Sequence, residues 1–170
     1  MLSGLDAKRY NFTQVIYDAT GRIVDRSEGY LAVKKPRFRW QVLGPFPQTV
    51  LVTEEQIQVY DPDLEQLTVS PLRNNWTDVP LAVLLNQDEI GDHFQILSIS
   101  NNEYRLIPNA EDALIASFKI SFLAGQLKQV EVVDRVNQVT HVDFEPAEGE
   151  MIQSELFELD LPEETEIVQG

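Results

Sequence analysis

The chain has 170 residues, a formal charge of −15 from 28 acidic and 13 basic side chains, 43% hydrophobic residues and no cysteine. This is an ordinary globular composition, long enough to bury a sizeable core as a single domain over 1–170. It excludes disulfides, thiolate metal sites, a cysteine nucleophile and an N-terminal lipidated cysteine. The apolar runs, such as Leu81–Leu85, fall far short of the ~20 residues of a membrane-spanning helix, so no stable membrane insertion is expected.

The charge is uneven. Residues 1–85 hold nine basic and ten acidic groups and residues 86–170 hold four and eighteen, so the net is −1 against −14. From Asp143 onward there are ten acids and no lysine or arginine. A surface of this kind repels nucleic-acid phosphates and anionic headgroups, so no nucleic-acid partner is expected.

In chain order, Leu2 and Leu5 stand at helical spacing before a series of alternating segments. The alternation predicts strands over 12–17, 23–25, 29–35, 37–42, 49–53, 56–60 and 64–70. A short helix is expected over Asp78–Asn86, with Asp78 as cap and Pro80 in the first turn. A second strand series follows over 94–100, 103–108, 116–123, 126–134, 138–144 and 155–161, with a turn of helix near 147–153 between the last two. Turn chemistry separates the strands at Asp18-Ala19-Thr20-Gly21, Gly44-Pro45, Asp61-Pro62-Asp63, Asn101-Asn102 and Ala124-Gly125. Most gaps suit hairpins, which predicts an antiparallel meander too large to stay flat. The helix bearing Leu81, Leu84 and Leu85 is the natural cover for its concave side.

No catalytic constellation is present. His93 and His141 stand far apart, without the spacing of metal ligands. Asp61 and Asp63 flank a proline without the further oxygen ligands and glycine of a calcium loop. There is no nucleophile elbow and no phosphate loop. Neither an enzyme, a metal site nor a cofactor is expected.

The densest cluster of chemistry is Val33-Lys34-Lys35-Pro36-Arg37-Phe38-Arg39-Trp40. Strand alternation puts Phe38 and Trp40 on one face and Arg37, Arg39 and Gln41 on the other, which is expected to face out. Phe12, Phe38, Trp40, Phe46, Leu51 and Val59, together with Leu81, Leu84 and Leu85, read either as an ordinary core or as the wall of an apolar pocket. Such a wall suits an acyl chain, each buried methylene contributing about 0.8 kcal/mol. Pro36 ends a strand, and a cation at Lys35 suits the negative end of a covering helix, although for a generic protein a solvated lysine is the better reading.

These residues also form an ordered set. Phe12-Thr13-Gln14, Asp18-x-x-Gly21, Gly29-Tyr30-Leu31-x-Val33-Lys34-Lys35-Pro36-x-Phe38-Arg39-Trp40 and Tyr60-Asp61-Pro62-x-Leu64-x-Gln66 come first. Val79-Pro80-x-x-x-Leu84-Leu85, Tyr104-x-Leu106-x-Pro108 and Phe157-x-Leu159-x-Leu161-Pro162 follow. Together they resemble the periplasmic outer-membrane lipoprotein carrier (LolA) family over nearly the whole chain. The resemblance implies a mainly β fold: an incomplete antiparallel β-barrel, a curved meander sheet with short helices as a lid over an apolar cavity. It implies a monomeric periplasmic carrier, here a mature form without its leader, that takes the acyl chains of triacylated lipoproteins. The cargo would come from an inner-membrane ABC transporter and pass to an outer-membrane receptor. Lys35 stands at a position the family often fills with an arginine that latches the lid; lysine keeps the charge without the planar donor fork. The alternative is a lipid-binding or lipoprotein-related sensor module of the same fold that ferries nothing.

Overall fold

The computed structural model describes residues 7–71, 90–111, 113–147 and 152–170. Among the described residues twelve strands carry the fold: β1 Ala7–Tyr17, β2 Ile23–Lys34, β3 Arg37–Gly44, β4 Gln48–Val52, β5 Gln56–Asp61, β6 Gln66–Pro71, β7 Phe94–Ser100, β8 Glu103–Pro108, β9 Ile115–Leu123, β10 Gln126–Asp134, β11 Val139–Pro146 and β12 Glu166–Gln169. The β7, β8 and β10 bounds coincide with those expected from alternation. The segments expected over 23–25 and 29–35 are one long strand, β2, because Arg26, Ser27 and Glu28 continue the alternation between them.

The strands form one sheet in the order β12-β6-β5-β4-β3-β2-β1-β11-β10-β9-β8-β7. Strands β2–β6 pair as one antiparallel meander and β7–β11 as another. The meander expectation needs one correction, since β12 pairs parallel to β6. The helix expected over Asp78–Asn86, with Leu81, Leu84 and Leu85, lies outside the described residues, as do Leu2 and Leu5. Among the described residues no helix is long and apolar enough to cross a membrane.

The expected turns form for the reasons given. The Asp18 carboxylate accepts hydrogen bonds from the Thr20 amide (2.9 Å), the Thr20 hydroxyl (2.6 Å) and the Arg22 amide (3.1 Å). Gly21 follows at φ +88°, a conformation that a side chain would resist. Asp61 caps its own turn by accepting from the amides of Asp63 and Leu64. Lys35 and Pro36 form the two-residue turn between β2 and β3.

Cα packing divides the chain into two compact units, one of Met1–Asn11, Ser27–Asn75 and Pro146–Gly170, the other of Phe12–Arg26 and Trp76–Glu145. The core of the second unit includes Phe12, Leu106, Phe118, Ile120, Val130, Val142 and Phe144. In the first unit both faces of the sheet carry buried side chains, which explains the consecutive buried run Leu31-Ala32-Val33.

One expected strand is not a strand. Residues 155–161 begin in a 3₁₀ turn, Ser154–Phe157, and continue without regular pairing. Phe157 is buried against Ala32 and Leu51, with Tyr30, Ile152, Leu156 and Leu159 packed around it. The alternating apolar residues there serve side-chain packing on the sheet instead of edge pairing. Strand β12, which alternation did not reveal, follows it and returns the chain to the sheet.

Candidate functional site: an apolar sheet face in the first unit

Register fixes which side chains share a face. Leu31 pairs with Trp40, Trp40 with Val50, and Val50 with Val59, giving one cross-strand row over β2–β5. Val33, Phe38, Val52 and Ile57 make the next row on the same face. These two rows contain only apolar side chains. Leu31, Val33, Phe38, Val52 and Ile57 are buried, while Trp40, Val50 and Val59 remain partly accessible. The accessible part therefore runs across three strands, roughly 10 Å at the usual strand spacing.

The opposite face is built differently. Ala32, Arg39, Leu51 and Gln58 form one row and Tyr30, Gln41, Thr49 and Tyr60 the adjacent one. Arg39 was expected to face solvent. It is instead part-buried, donating through Nη1 to the Leu156 carbonyl oxygen at 3.0 Å and through Nη2 to Gln41 Oε1 at 2.8 Å. Thr49, itself buried, donates its hydroxyl to the same Gln41 oxygen at 2.8 Å. Gln41 Nε2 in turn donates to the carbonyl oxygens of Val42 and Gln48. This polar cluster fastens the segment around Phe157 to the back of the sheet, and Arg9 stacks over the Tyr30 ring at 4.2 Å from its centroid on the same unit.

The expected wall residues thus separate. Phe38, Trp40 and Val59 share the apolar face. Leu51 corrects the expectation: it lies on the reverse face beneath Phe157, because residues adjacent along a strand alternate sides. Phe46 is 72% exposed on the β3–β4 connection and does not join the wall. Phe12 is buried in the second unit, edge-on to Phe144 at a centroid distance of 6.3 Å. Leu81, Leu84 and Leu85 lie outside the described residues. Lys35 is half-buried in its turn, at the end of β2 next to the row that contains Val33 and Phe38.

Titratable chemistry lies elsewhere. In the second unit His141 stands 3.8 Å from Glu131 and 3.6 Å from Asp143, and Lys119 bridges Glu131 and Glu103. This is a cross-strand charge ladder on β8–β11. Among the described residues no group of three or more His, Asp or Glu side chains could hold a metal ion.

Comparison with known proteins gives a consistent result. The family model described as "Outer membrane lipoprotein carrier protein LolA" matches residues 3–160. The outer-membrane lipoprotein carrier protein of Pseudomonas entomophila is 32% identical, covering 93% of this chain and 79% of the relative. That of Pseudomonas paraeruginosa is 30% identical with the same coverage. In fold, the chain is similar to the crystal structure of an uncharacterized conserved protein from Thermus thermophilus, with a TM-score of 0.54, 13% identity, and coverage of 99% and 93% of the two chains.

Proposed function

Because the chain belongs to the outer-membrane lipoprotein carrier (LolA) family, we propose that it binds the acyl chains of lipoproteins on the face formed by Phe38, Trp40, Val50 and Val59. The observation supporting this is the composition of that face, where the rows of Leu31 and Val33 hold no polar side chain across four strands. Ligand selection there would rest on apolar area, at about 25 cal/mol per Å² removed from water. Such a wall accepts acyl chains without exact polar placement. It offers no nucleophile or general acid, which fits a carrier and not an enzyme.

The carrier works in the periplasm, receives triacylated lipoproteins from an inner-membrane ABC transporter and delivers them to an outer-membrane receptor. Lys35, half-buried in the β2–β3 turn, would fasten a covering helix by bonding its terminal carbonyls. The acidic surface (net −15 for the chain) disfavours lasting contact with anionic lipid, as suits a protein that must leave each membrane. The test is release: transporter-bearing inner-membrane vesicles loaded with a triacylated lipoprotein are incubated with the protein and ATP. A soluble one-to-one complex supports the proposal. Lipoprotein that stays in the vesicle pellet, while the protein retains a bound phospholipid or glycolipid, would favour a sensor module.

A further inference from the structure

The apolar face of the first unit ends in hydroxyls. Strand β6 sets Thr68 directly opposite Val59 and Ser70 directly opposite Ile57, so each continues one of the two apolar rows. Directly opposed side chains on one face have their Cβ atoms about 4.5–5.5 Å apart. Leu67 and Val69, which alternate with them along β6, turn to the reverse face, where Leu67 is buried. Thr68 and Ser70 are both partly accessible. Neither hydroxyl has a hydrogen-bond partner in the protein. On the side of Ser70 away from Ile57, a Cβ at Gly170 would collide with Ser70 Oγ, so that oxygen stands in space a glycine leaves open. Gln66, the next residue of β6 on this face, stands opposite Asp61 instead of an apolar row member.

We propose that Thr68 and Ser70 donate their hydroxyls to the glyceryl ester carbonyl oxygens at the head of bound acyl chains. This rests on the acyl-binding face proposed above and adds a direction to it. An acyl chain laid on an apolar wall carries its ester carbonyl to the border of that wall. A carbonyl taken out of water without a donor costs free energy that a hydrogen bond restores. At β6 both rows change from apolar side chains to free donors, so the carbonyl end belongs there. A hydroxyl suits the task because it donates without bringing a charge that the wall would have to desolvate. A few placed polar groups beside an apolar surface are also what fixes a ligand's orientation. The chains then run across the strands from β6 toward β2, over roughly 19 Å at the usual strand spacing, with their methyl ends toward Leu31 and Val33.

Diacylglyceryl esters occur in triacylated lipoproteins and in phospholipids alike, so the test titrates both. The probes are an N-acyl-S-diacylglyceryl-cysteine peptide, its dialkyl-ether counterpart with the same chain lengths, and a phosphatidylethanolamine, with binding read by calorimetry. The double variant Thr68→Val, Ser70→Ala should fold with an unchanged denaturation midpoint, since neither hydroxyl has a protein partner. It should bind the ester peptide roughly tenfold more weakly, as for two modest net hydrogen bonds, and the ether peptide as tightly as the unaltered chain does. The same loss with phosphatidylethanolamine would extend the subsite to diacylglyceryl esters of either source, and a loss with phosphatidylethanolamine alone would assign it to membrane lipid. An unchanged affinity for both esters, or an equal loss for the ester and ether peptides, would overturn the role of the hydroxyls and leave the acyl-binding face standing. Failure of the unaltered chain to bind any of the three probes would remove that face, and the hydroxyl subsite with it.

Discussion

Arg39 Nη1 donates to the Leu156 carbonyl oxygen at 3.0 Å, joining residues 117 positions apart in sequence. One strand therefore has two duties: Trp40 presents its ring to the apolar face, while its neighbour Arg39 holds the C-terminal segment on the reverse. Replacing Arg39 by leucine should cost about 1–3 kcal/mol, the range for losing a charge-assisted bond and leaving a part-buried carbonyl unpaired. Chemical denaturation measures the loss, and limited proteolysis should show earlier cleavage between 152 and 165. An unchanged cleavage pattern would show that the segment is held without this bond.

Phe157 is the apolar counterpart of that bond, only 5% exposed against Ala32 and Leu51. Phe157→Ala should destabilise the protein by about 3–5 kcal/mol, as for other buried phenylalanines. Phe46→Ala, at an equally large but exposed ring, should change stability by less than about 0.5 kcal/mol. Comparing the two denaturation midpoints checks that the contrast comes from burial.

The Asp18 carboxyl is held below its usual range first by the Thr20 hydroxyl, with the Arg22 amide next. A depressed folded-state pKa means the stabilisation is present above the unfolded-state value and is lost as pH falls through the folded one. The loss therefore lies on the acid side of normal aspartate titration. The carboxyl resonance of Asp18 should titrate below that of an unstructured aspartate, and Thr20→Ala should move its midpoint upward. An unmoved midpoint would assign the depression to the backbone amides.

Trp40 should report acyl binding. In a Trp76→Phe background, its emission should shift to shorter wavelength when a fatty-acyl ligand binds. Lys35→Leu should fold normally and still bind such ligands, but deliver lipoprotein to the receptor more slowly. Wild-type delivery rates would remove Lys35 from the mechanism.

Much of the fold was legible in the sequence because period-two alternation and turn residues are local signals. β7, β8 and β10 follow them to the residue. The reverse face was not, because alternation reports that two faces differ but not that both are covered. Arg37, Arg39 and Gln41 read as an outer face, and only the bond from Arg39 to the Leu156 carbonyl, far along the chain, reveals that this face is partly covered. A local signal existed in the consecutive apolar runs Leu31-Ala32-Val33 and Val50-Leu51-Val52, which mark strands buried on both sides. Read that way, Leu51 would have been assigned to the reverse face. The 155–161 segment misled because Leu156, Phe157, Leu159 and Leu161 suit a strand in composition, while Leu156, Phe157 and Leu159 pack on side chains of the sheet and not along an open edge.

Whether acyl chains lie on the Trp40 face is decided most sharply at Val50 and Leu51, which are adjacent in β4 and point to opposite sides. Photo-leucine is placed at either position, the protein is loaded with a triacylated lipoprotein, and cross-linked acyl chains are mapped by mass spectrometry. Acyl adducts are expected from position 50 and none from position 51. Adducts from position 51 alone, or equally from both, would contradict it.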